Sequence, residues 1–215
     1  LPGATQFLER LLMDANPEVV RHAIRTAGEV RYEGAIPLLI SMLSRAPLRL
    51  ESREALLKLG PPALSQMRHR LQDEETPLEI RTRIPKVLSF SASQDIAGFL
   101  LSLVHGSSPR LDIPLLKAVD RIRIQYSDIT FDPERVQTLI REECEKHLRL
   151  SRIQRAIHSG AEESEGDAAG KVLSLMAKAI SERIRDCVER IFRLLALIYA
   201  PADIHAVYFN ITARP

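Results

Sequence analysis

Apolar residues recur at helical spacing in four successive segments of the first half of the chain, and this repetition constrains the fold more than any other feature. Within each segment two apolar residues lie four positions apart: Leu8 and Leu12, Leu39 and Leu43, Met67 and Leu71, and Leu100 and Val104. Between these pairs, Arg21, Arg53 and Arg81 each precede an apolar residue by three positions. Equivalent positions recur about every 30 residues, which is typical of two-helix repeats stacked into an α-solenoid.

Prolines mark where several helices are expected to begin. Each follows a residue type that caps helices well: Asn16-Pro17, Thr76-Pro77, Ser108-Pro109 and Asp132-Pro133. The capping oxygen accepts a hydrogen bond from a first-turn N–H, and proline has no N–H to leave unpaired. Thr76 and Glu79 also have capping-box spacing. Glycines are expected where helices stop or turn: Gly34, Gly60, Gly106 and Gly160. Since no segment alternates apolar and polar residues as strands do, the sequence predicts an all-α fold.

From Asp132 onward the pattern predicts two long helices, over residues 133–158 and 168–199. The apolar stripe of the first, which has one slip in phase, consists of Val136, Ile140, Cys144, Leu148, Ile153 and Ile157. The stripe of the second consists of Leu173, Met176, Ile180, Ile184, Cys187, Ile191 and Leu195. Each stripe needs a covering surface, so we expect an antiparallel hairpin, joined by an acidic and flexible connection at residues 159–167. A further helix is expected to start at Ala200-Pro201 and to run out at Arg214-Pro215.

Two segments resemble HEAT repeats. Residues 16–28, Asn-Pro-Glu-Val-Val-Arg-His-Ala-Ile-Arg-Thr-Ala-Gly, resemble the second helix of a repeat. Residues 35–43, Ala-Ile-Pro-Leu-Leu-Ile-Ser-Met-Leu, resemble a first helix with its early proline. The resemblance extends over residues 3–125 and implies an architecture, a HEAT-like α-solenoid. It does not imply one function, because HEAT repeats serve as a scaffold for many.

A more specific resemblance lies in residues 108–123 and 190–199, which are similar to the HEAT region of large bacterial membrane proteins. In that family a transporter-like bundle, related to nucleotide carriers or the major facilitator group, precedes the HEAT repeats. A cyclic-nucleotide-binding-like domain often follows them. The resemblance implies a cytoplasmic module at the inner face of a membrane, with neighbouring domains of the same chain or another protein as partner. It implies no catalytic or ligand residues.

These observations predict three parts: HEAT-like repeats over residues 1–131, the long hairpin over residues 132–199, and a truncated repeat over residues 200–215. The sequence begins without Met, so we expect a piece of a longer protein. No run approaches the ~18 apolar residues of a membrane span. The parent protein is nevertheless expected to be membrane-bound, on the resemblance alone.

Charge and composition argue against several function classes. The net charge is only +2 and Trp is absent, which argues against a nucleic-acid partner. No Gly-x-Gly-x-x-Gly or Gly-Lys-Ser/Thr motif occurs, so no nucleotide cofactor is predicted. Cys144 and His147 have a metal-ligand spacing, but Cys187 is the only other thiol, and we favour two reduced core cysteines with His147 at the surface. No metal site is predicted, and no catalytic site is predicted from the scattered histidines.

Two arginine sets are candidates for binding a partner. Arg21, Arg53 and Arg81 occupy equivalent positions in successive second helices and could form a ladder for an acidic partner or a phosphate. We favour the alternative in which they are structural and pair with acidic neighbours: Glu18, Glu51 and Glu79. The second set lies near the end of the first long helix, where it could contact phospholipid head groups: Arg149, Arg152 and Arg155. A solvated helix end is the favoured interpretation of that set.

The sequence therefore predicts a non-catalytic interaction or regulatory scaffold. The alternative is an enzyme on a HEAT-like framework, such as a tetrapyrrole lyase or a DNA glycosylase. A glycosylase of that kind needs a strongly basic groove with aromatic side chains against the damaged base, and the balanced charge argues against it.

Overall fold

The computed structural model describes residues 2–91, 93–163 and 168–212. Every regular element in these ranges is a helix, which confirms the predicted all-α class. The contacts divide the chain into two compact units, Leu1–Ile122 and Arg123–Pro215. The predicted boundaries at 131/132 and 199/200 stay predictions.

The first unit consists of short and medium helices. Its α-helices are α1 (Pro2–Leu12), α2 (Pro17–Glu29), α3 (Ile36–Met42), α4 (Arg49–Leu59), α5 (Pro61–Gln72), α6 (Leu78–Arg81), α7 (Ile84–Leu88), α8 (Gln94–Ser102) and most of α9 (Pro109–Gln125). Short 3-10 helices cover Glu33–Ala35, Ala46–Leu48 and Ser89–Ser91. Helix α1 packs on α2, α2 on α4, and α3 on both α4 and α5. Helix α5 also packs on α4 and α7.

The core of the first unit follows the spacing of the sequence. All eight residues of the four apolar pairs are buried: Leu8, Leu12, Leu39, Leu43, Met67, Leu71, Leu100 and Val104. The apolar residues that follow the three arginines, Ile24, Leu56 and Ile84, are all 0% exposed. The residues that the helical spacing marks as core are therefore buried in the structure.

Helices α2 and α4 approach each other closely at Gly28. A Cβ atom at this position would lie 2.8 Å from the Cα of Ala55 and 3.0 Å from its Cβ. Only a glycine opposite a small residue permits this separation without displacing backbone. Gly28 and Ala55 therefore allow the close contact between α2 and α4.

Two of the predicted helix starts are found with their side-chain caps, and a third is wrong. Asn16 Oδ1 accepts a hydrogen bond from the N–H of Glu18 at 2.9 Å, and Asp132 Oδ1 accepts one from Glu134 at 3.0 Å. The predicted Thr76–Glu79 capping box does not form: α6 starts after Pro77, with no side-chain cap. Thr76 Oγ1 instead donates to Asp73 Oδ2 at 2.7 Å.

The predicted second helix near residue 80 is broken in two. Pro85 has no N–H and cannot continue the hydrogen-bond ladder from α6, so the chain turns through Thr82 and Arg83 before α7 begins at Ile84. Pro85 itself lies in the first turn of α7, where proline is tolerated. The break leaves Arg83 exposed between the two short helices.

The second unit holds α10 (Pro133–Glu163), α11 (Ala168–Ile198) and α12 (Pro201–Thr212). Helix α10 ends later than predicted: it continues through Gly160 to Glu163. Residues 161–163, which have high helix propensity, extend it. Residues 164–167 of the predicted acidic connection, and the predicted end at Arg214-Pro215, lie outside the described residues.

Helices α10 and α11 pack on each other in antiparallel order. Gln154 Nε2 donates to Ser181 Oγ at 2.8 Å, and Arg190 Nε donates to Glu143 Oε1 at 2.8 Å. Between these two contacts the residue number falls from 154 to 143 in α10 and rises from 181 to 190 in α11, so the two helices run in opposite directions. Helix α12 packs on α11, where the rings of Phe192 and Tyr208 lie 5.4 Å apart.

The stripe predicted for α10 is wrong in its middle. Cys144 is exposed, Leu148 is 55% exposed and Ile153 is 48% exposed. Successive steps of four residues drift around a helix, whereas alternating steps of three and four stay on one face. The residues on the inner face of α10 are Val136, Leu139, Glu143, His147, Leu150, Gln154 and Ile157, which are buried or half-buried. In the predicted α11 stripe Met176 alone is exposed, at 48%, and the other members are buried or half-buried.

None of the described helices could span a membrane. Within the part of the chain that the structure describes, each helix falls short of the length or the apolarity that crossing a bilayer requires.

Candidate anion-binding cleft

Four basic side chains line a cleft in the first unit, between the α6–α7 segment and α9. The cleft has a volume of about 310 Å³. Its lining residues are Thr82, Arg83, Lys86, Ile113, Pro114, Lys117, Ala118 and Arg121. We call this set the basic cleft. A concave site with several convergent groups of one charge is a natural place to bind a ligand of the opposite charge.

Local sequence explains how these cations come together. Arg83 lies in the turn that Pro85 imposes, and Lys86 lies on the short helix that follows. Lys117 and Arg121 are four residues apart on α9, so they share one face of that helix. The two walls of the cleft therefore each contribute two positive charges.

Three of the four cations that line the basic cleft lack an ion pair among the described residues. No acidic residue is among the lining side chains. Arg83, Lys86 and Arg121 make no ion pair with any carboxylate of the described ranges. Like charges held near one another repel, and a bound anion would relieve that repulsion. The cleft is therefore poised for an anionic ligand.

An aromatic ring connects this cleft to the predicted arginine ladder. The guanidinium carbon of Arg121 lies 4.9 Å from the centroid of Phe90, and that of Arg53 lies 4.8 Å from the same centroid. Both distances are within the range of a cation–π contact. Arg53, a candidate from the sequence, thus adjoins the cleft through Phe90.

The other two arginines of the predicted ladder, Arg21 and Arg81, make contacts within the first unit. Arg21 Nη1 pairs with Glu18 Oε1 at 2.7 Å. Arg81 is 6% exposed, and its Nε donates to the carbonyl oxygen of Leu71 at 3.0 Å. Arg53 does not pair with Glu51, which lies 3.5 Å from Arg25 instead. The structure therefore brings Arg53 alone of the three to the basic cleft.

The second predicted arginine set lies in the other unit. Arg149, Arg152 and Arg155 are all exposed on α10. None of them makes an ion pair within the described part of the chain. They form an exposed basic strip on one helix.

The two cysteines lie in different surroundings. Cys187 is fully buried and accepts a hydrogen bond from Arg190 Nη2 at 3.2 Å. Burial, with the nearby charge of Glu143, raises the pKa of the Cys187 thiol to about 11. Cys144 is exposed, so the expectation that both cysteines are core residues is wrong. His147 is half-buried, and its Nδ1 has no hydrogen-bond partner among the described residues.

A larger groove lies between α1 and α2, with a volume of about 610 Å³. Its lining is mostly apolar and includes Phe7, Leu11, Val19 and Val30. It offers volume without convergent charge, and the basic cleft is the better candidate for specific binding.

Sequence reasoning missed Arg83, Lys86, Lys117, Arg121 and Phe90. A count of charged residues over a short stretch of the sequence would have indicated the basic cleft. Residues 81–121 hold six Lys and Arg against three Asp and Glu. The excess vanishes when charge is averaged over longer stretches.

The chain matched no protein-family model and no curated protein to which we compared it. The resemblance to HEAT repeats therefore stays a prediction, as does the enzyme alternative.

Proposed function

We propose that this chain is a non-catalytic interaction scaffold. In this proposal the first unit is a HEAT-like solenoid of two-helix repeats, and α10 and α11 form a long hairpin after it. Two packing contacts support the solenoid: second helices α2 and α4 lie side by side, and so do first helices α3 and α5. The resemblance of the sequence supports a cytoplasmic module of a larger membrane-associated protein.

The proposed partner is an acidic segment of another protein or of a neighbouring domain. The observation that carries this proposal is the basic cleft, in which Arg83, Lys86 and Arg121 make no ion pair with a described carboxylate. Carboxylates that enter the cleft would form charge-assisted hydrogen bonds with Arg83 and Arg121. Lys86 would add a less directional attraction.

A fluorescence anisotropy titration with a labelled peptide rich in Asp and Glu tests the proposal. Arg83→Glu combined with Lys86→Glu should weaken binding at least about tenfold, since two attractive charges become repulsive. Arg10→Glu combined with Arg45→Glu is the matched control, because both arginines are exposed, lie outside the cleft and give the same change in net charge. The control should bind almost as the unaltered protein does.

Two results would contradict the proposal. Equal losses in both double variants would mean that only net charge attracts the peptide. Tighter binding of a duplex DNA than of the peptide, lost in the cleft variant, would assign the cleft to nucleic acid.

A further inference from the structure

We infer that Arg53, Phe90 and Arg121 form an oxyanion subsite at the edge of the basic cleft, in which the ring positions two guanidinium groups to hold one carboxylate or phosphate group. This inference rests on the proposed function, in which the cleft receives an acidic partner. It names the group of that partner that is bound and the residue that organises its binding.

The geometry gathers three elements at one ring. Arg53 comes from α4, Phe90 from the 3-10 helix Ser89–Ser91, and Arg121 from α9. Both guanidinium carbons lie under 5 Å from the same centroid, at 4.8 and 4.9 Å. They are therefore within about 10 Å of each other, which is about one Debye length at 0.1 M salt, so their repulsion is only partly screened.

Neither arginine has an acidic partner to offset this repulsion. Arg53 and Arg121 make no ion pair with the carboxylates that the structure describes. Both are half-buried, so their charges are shielded from water more than those of fully exposed arginines. An oxyanion between them would be attracted by both.

Both guanidinium carbons lie over the ring of Phe90. A guanidinium that contacts an aromatic ring through its face keeps its N–H groups directed outward in its own plane. Those N–H groups match the oxygen atoms of a carboxylate or phosphate, often two at a time. Contact with the ring also restricts the side chain before binding, which reduces the entropy lost when the anion binds. Phe90 is thus a positioning residue, and the two arginines make the contact.

Isothermal titration with inorganic phosphate tests the subsite on the whole chain. Arg53→Gln and Arg121→Gln should each lower the affinity at least about tenfold, and the double variant should lose little more than either single one. Phe90→Leu should weaken binding several-fold although both arginines remain, whereas Phe90→Tyr should restore it. Arg45→Gln is the matched control and should change nothing. A thermal melt of each variant shows that it is folded.

Two peptides identify the source of the oxyanion. One carries a phosphoserine and the other a Glu at the same place in an otherwise identical acidic sequence. Preference for phosphoserine that disappears in Arg121→Gln would assign a phosphorylated segment, and equal binding would assign a carboxylate.

Several outcomes would overturn the inference: small losses in the two arginine variants that add in the double variant, unchanged binding in Phe90→Leu, or phosphate that does not bind. Loss of peptide binding in Arg83→Glu/Lys86→Glu, together with unchanged peptide binding in the Arg53 and Arg121 variants, would reject the subsite and keep the proposed function. Unchanged peptide binding in every variant would reject both.

Discussion

Arg190 of α11 and Glu143 of α10 form an ion pair inside the second unit, with Arg190 Nε donating to Glu143 Oε1 at 2.8 Å. Glu143 is 0% exposed and Arg190 5% exposed. The pair lies on the inner faces of both helices, next to the Sγ of Cys187, which Arg190 also contacts. We expect this buried pair to fix the register of the two helices more narrowly than apolar contacts would.

Removing one member of this pair should destabilise the protein strongly. Arg190→Met leaves the Glu143 carboxylate buried without its main counter-charge, which typically costs about 3–5 kcal/mol. Urea unfolding measures the loss. Lys58→Met is the control, because Lys58 and Glu29 are 4.0 Å apart and mostly exposed, and its effect should be under about 1 kcal/mol. Equal losses would show that burial of the pair contributes nothing.

Truncating a core residue of the first unit tests the helical phase. Leu39 is 0% exposed, so Leu39→Ala should lower the free energy of unfolding by about 2–5 kcal/mol. Leu50→Ala is the matched control, since Leu50 is 52% exposed and should change stability by no more than about 0.5 kcal/mol. A small effect at Leu39 would contradict the repeat register.

Two glycines should respond to alanine in opposite directions. Gly28→Ala places a methyl group against the backbone of Ala55 and should cost about 1–3 kcal/mol, because α2 and α4 must separate. Gly98 lies inside α8, and nothing would touch a Cβ there. Gly98→Ala should therefore stabilise the protein by about 0.5–1 kcal/mol through helix propensity. Differential scanning calorimetry distinguishes the two, and a shift of the same sign in both would contradict the close contact.

The two thiols should differ in reactivity and in their effect on stability. At pH 8, Cys144 should react with a thiol reagent in the folded protein, while Cys187 should react only after unfolding. The pKa of the Cys187 thiol is raised from 9.0 to about 11 by burial, so the unfolded chain loses this proton first as pH rises. Folding stability from this thiol is therefore complete below pH 9 and declines between pH 9 and 11. Cys187→Ala should remove that part of the pH dependence, and an unaltered slope would contradict the assignment.

Hydrogen exchange along α11 should be uneven. Its buried residues all lie in the C-terminal half: Cys187, Arg190, Leu194, Ala196 and Leu197. Val172, Leu175 and Met176 in the N-terminal half are 56%, 70% and 48% exposed. Amides of residues 170–178 should therefore exchange faster than those of residues 187–197. Uniform protection would mean that the whole helix opens as one unit.

The elements of the first unit could be predicted because its helices carry local signals. Helical spacing predicted buried residues such as Leu39 and Met67, and the capping residue Asn16 predicted the start of α2. The second unit was harder, since a stripe drawn in steps of four, with one step of five, placed Leu148 and Ile153 inside, where the structure has Glu143 and Gln154. A polar residue can be assigned to an inner face only when its partner is known. The partner of Glu143 is Arg190, 47 positions away in the sequence, and the partner of Gln154 is Ser181, 27 positions away. The basic cleft was not predicted for the same reason: its two walls, the α6–α7 segment and α9, are separated in the sequence by α8.

Nuclear magnetic resonance mapping of the bound acidic peptide tests the central claim most directly. If the basic cleft receives an acidic partner, titration should shift the amide signals of residues 82–90 and 113–121 first, together with the guanidinium signals of Arg53 and Arg121. Signals of Arg149, Arg152 and Arg155 should stay in place. Shifts that concentrate on those three arginines, or that spread evenly over all exposed cations, would contradict the claim.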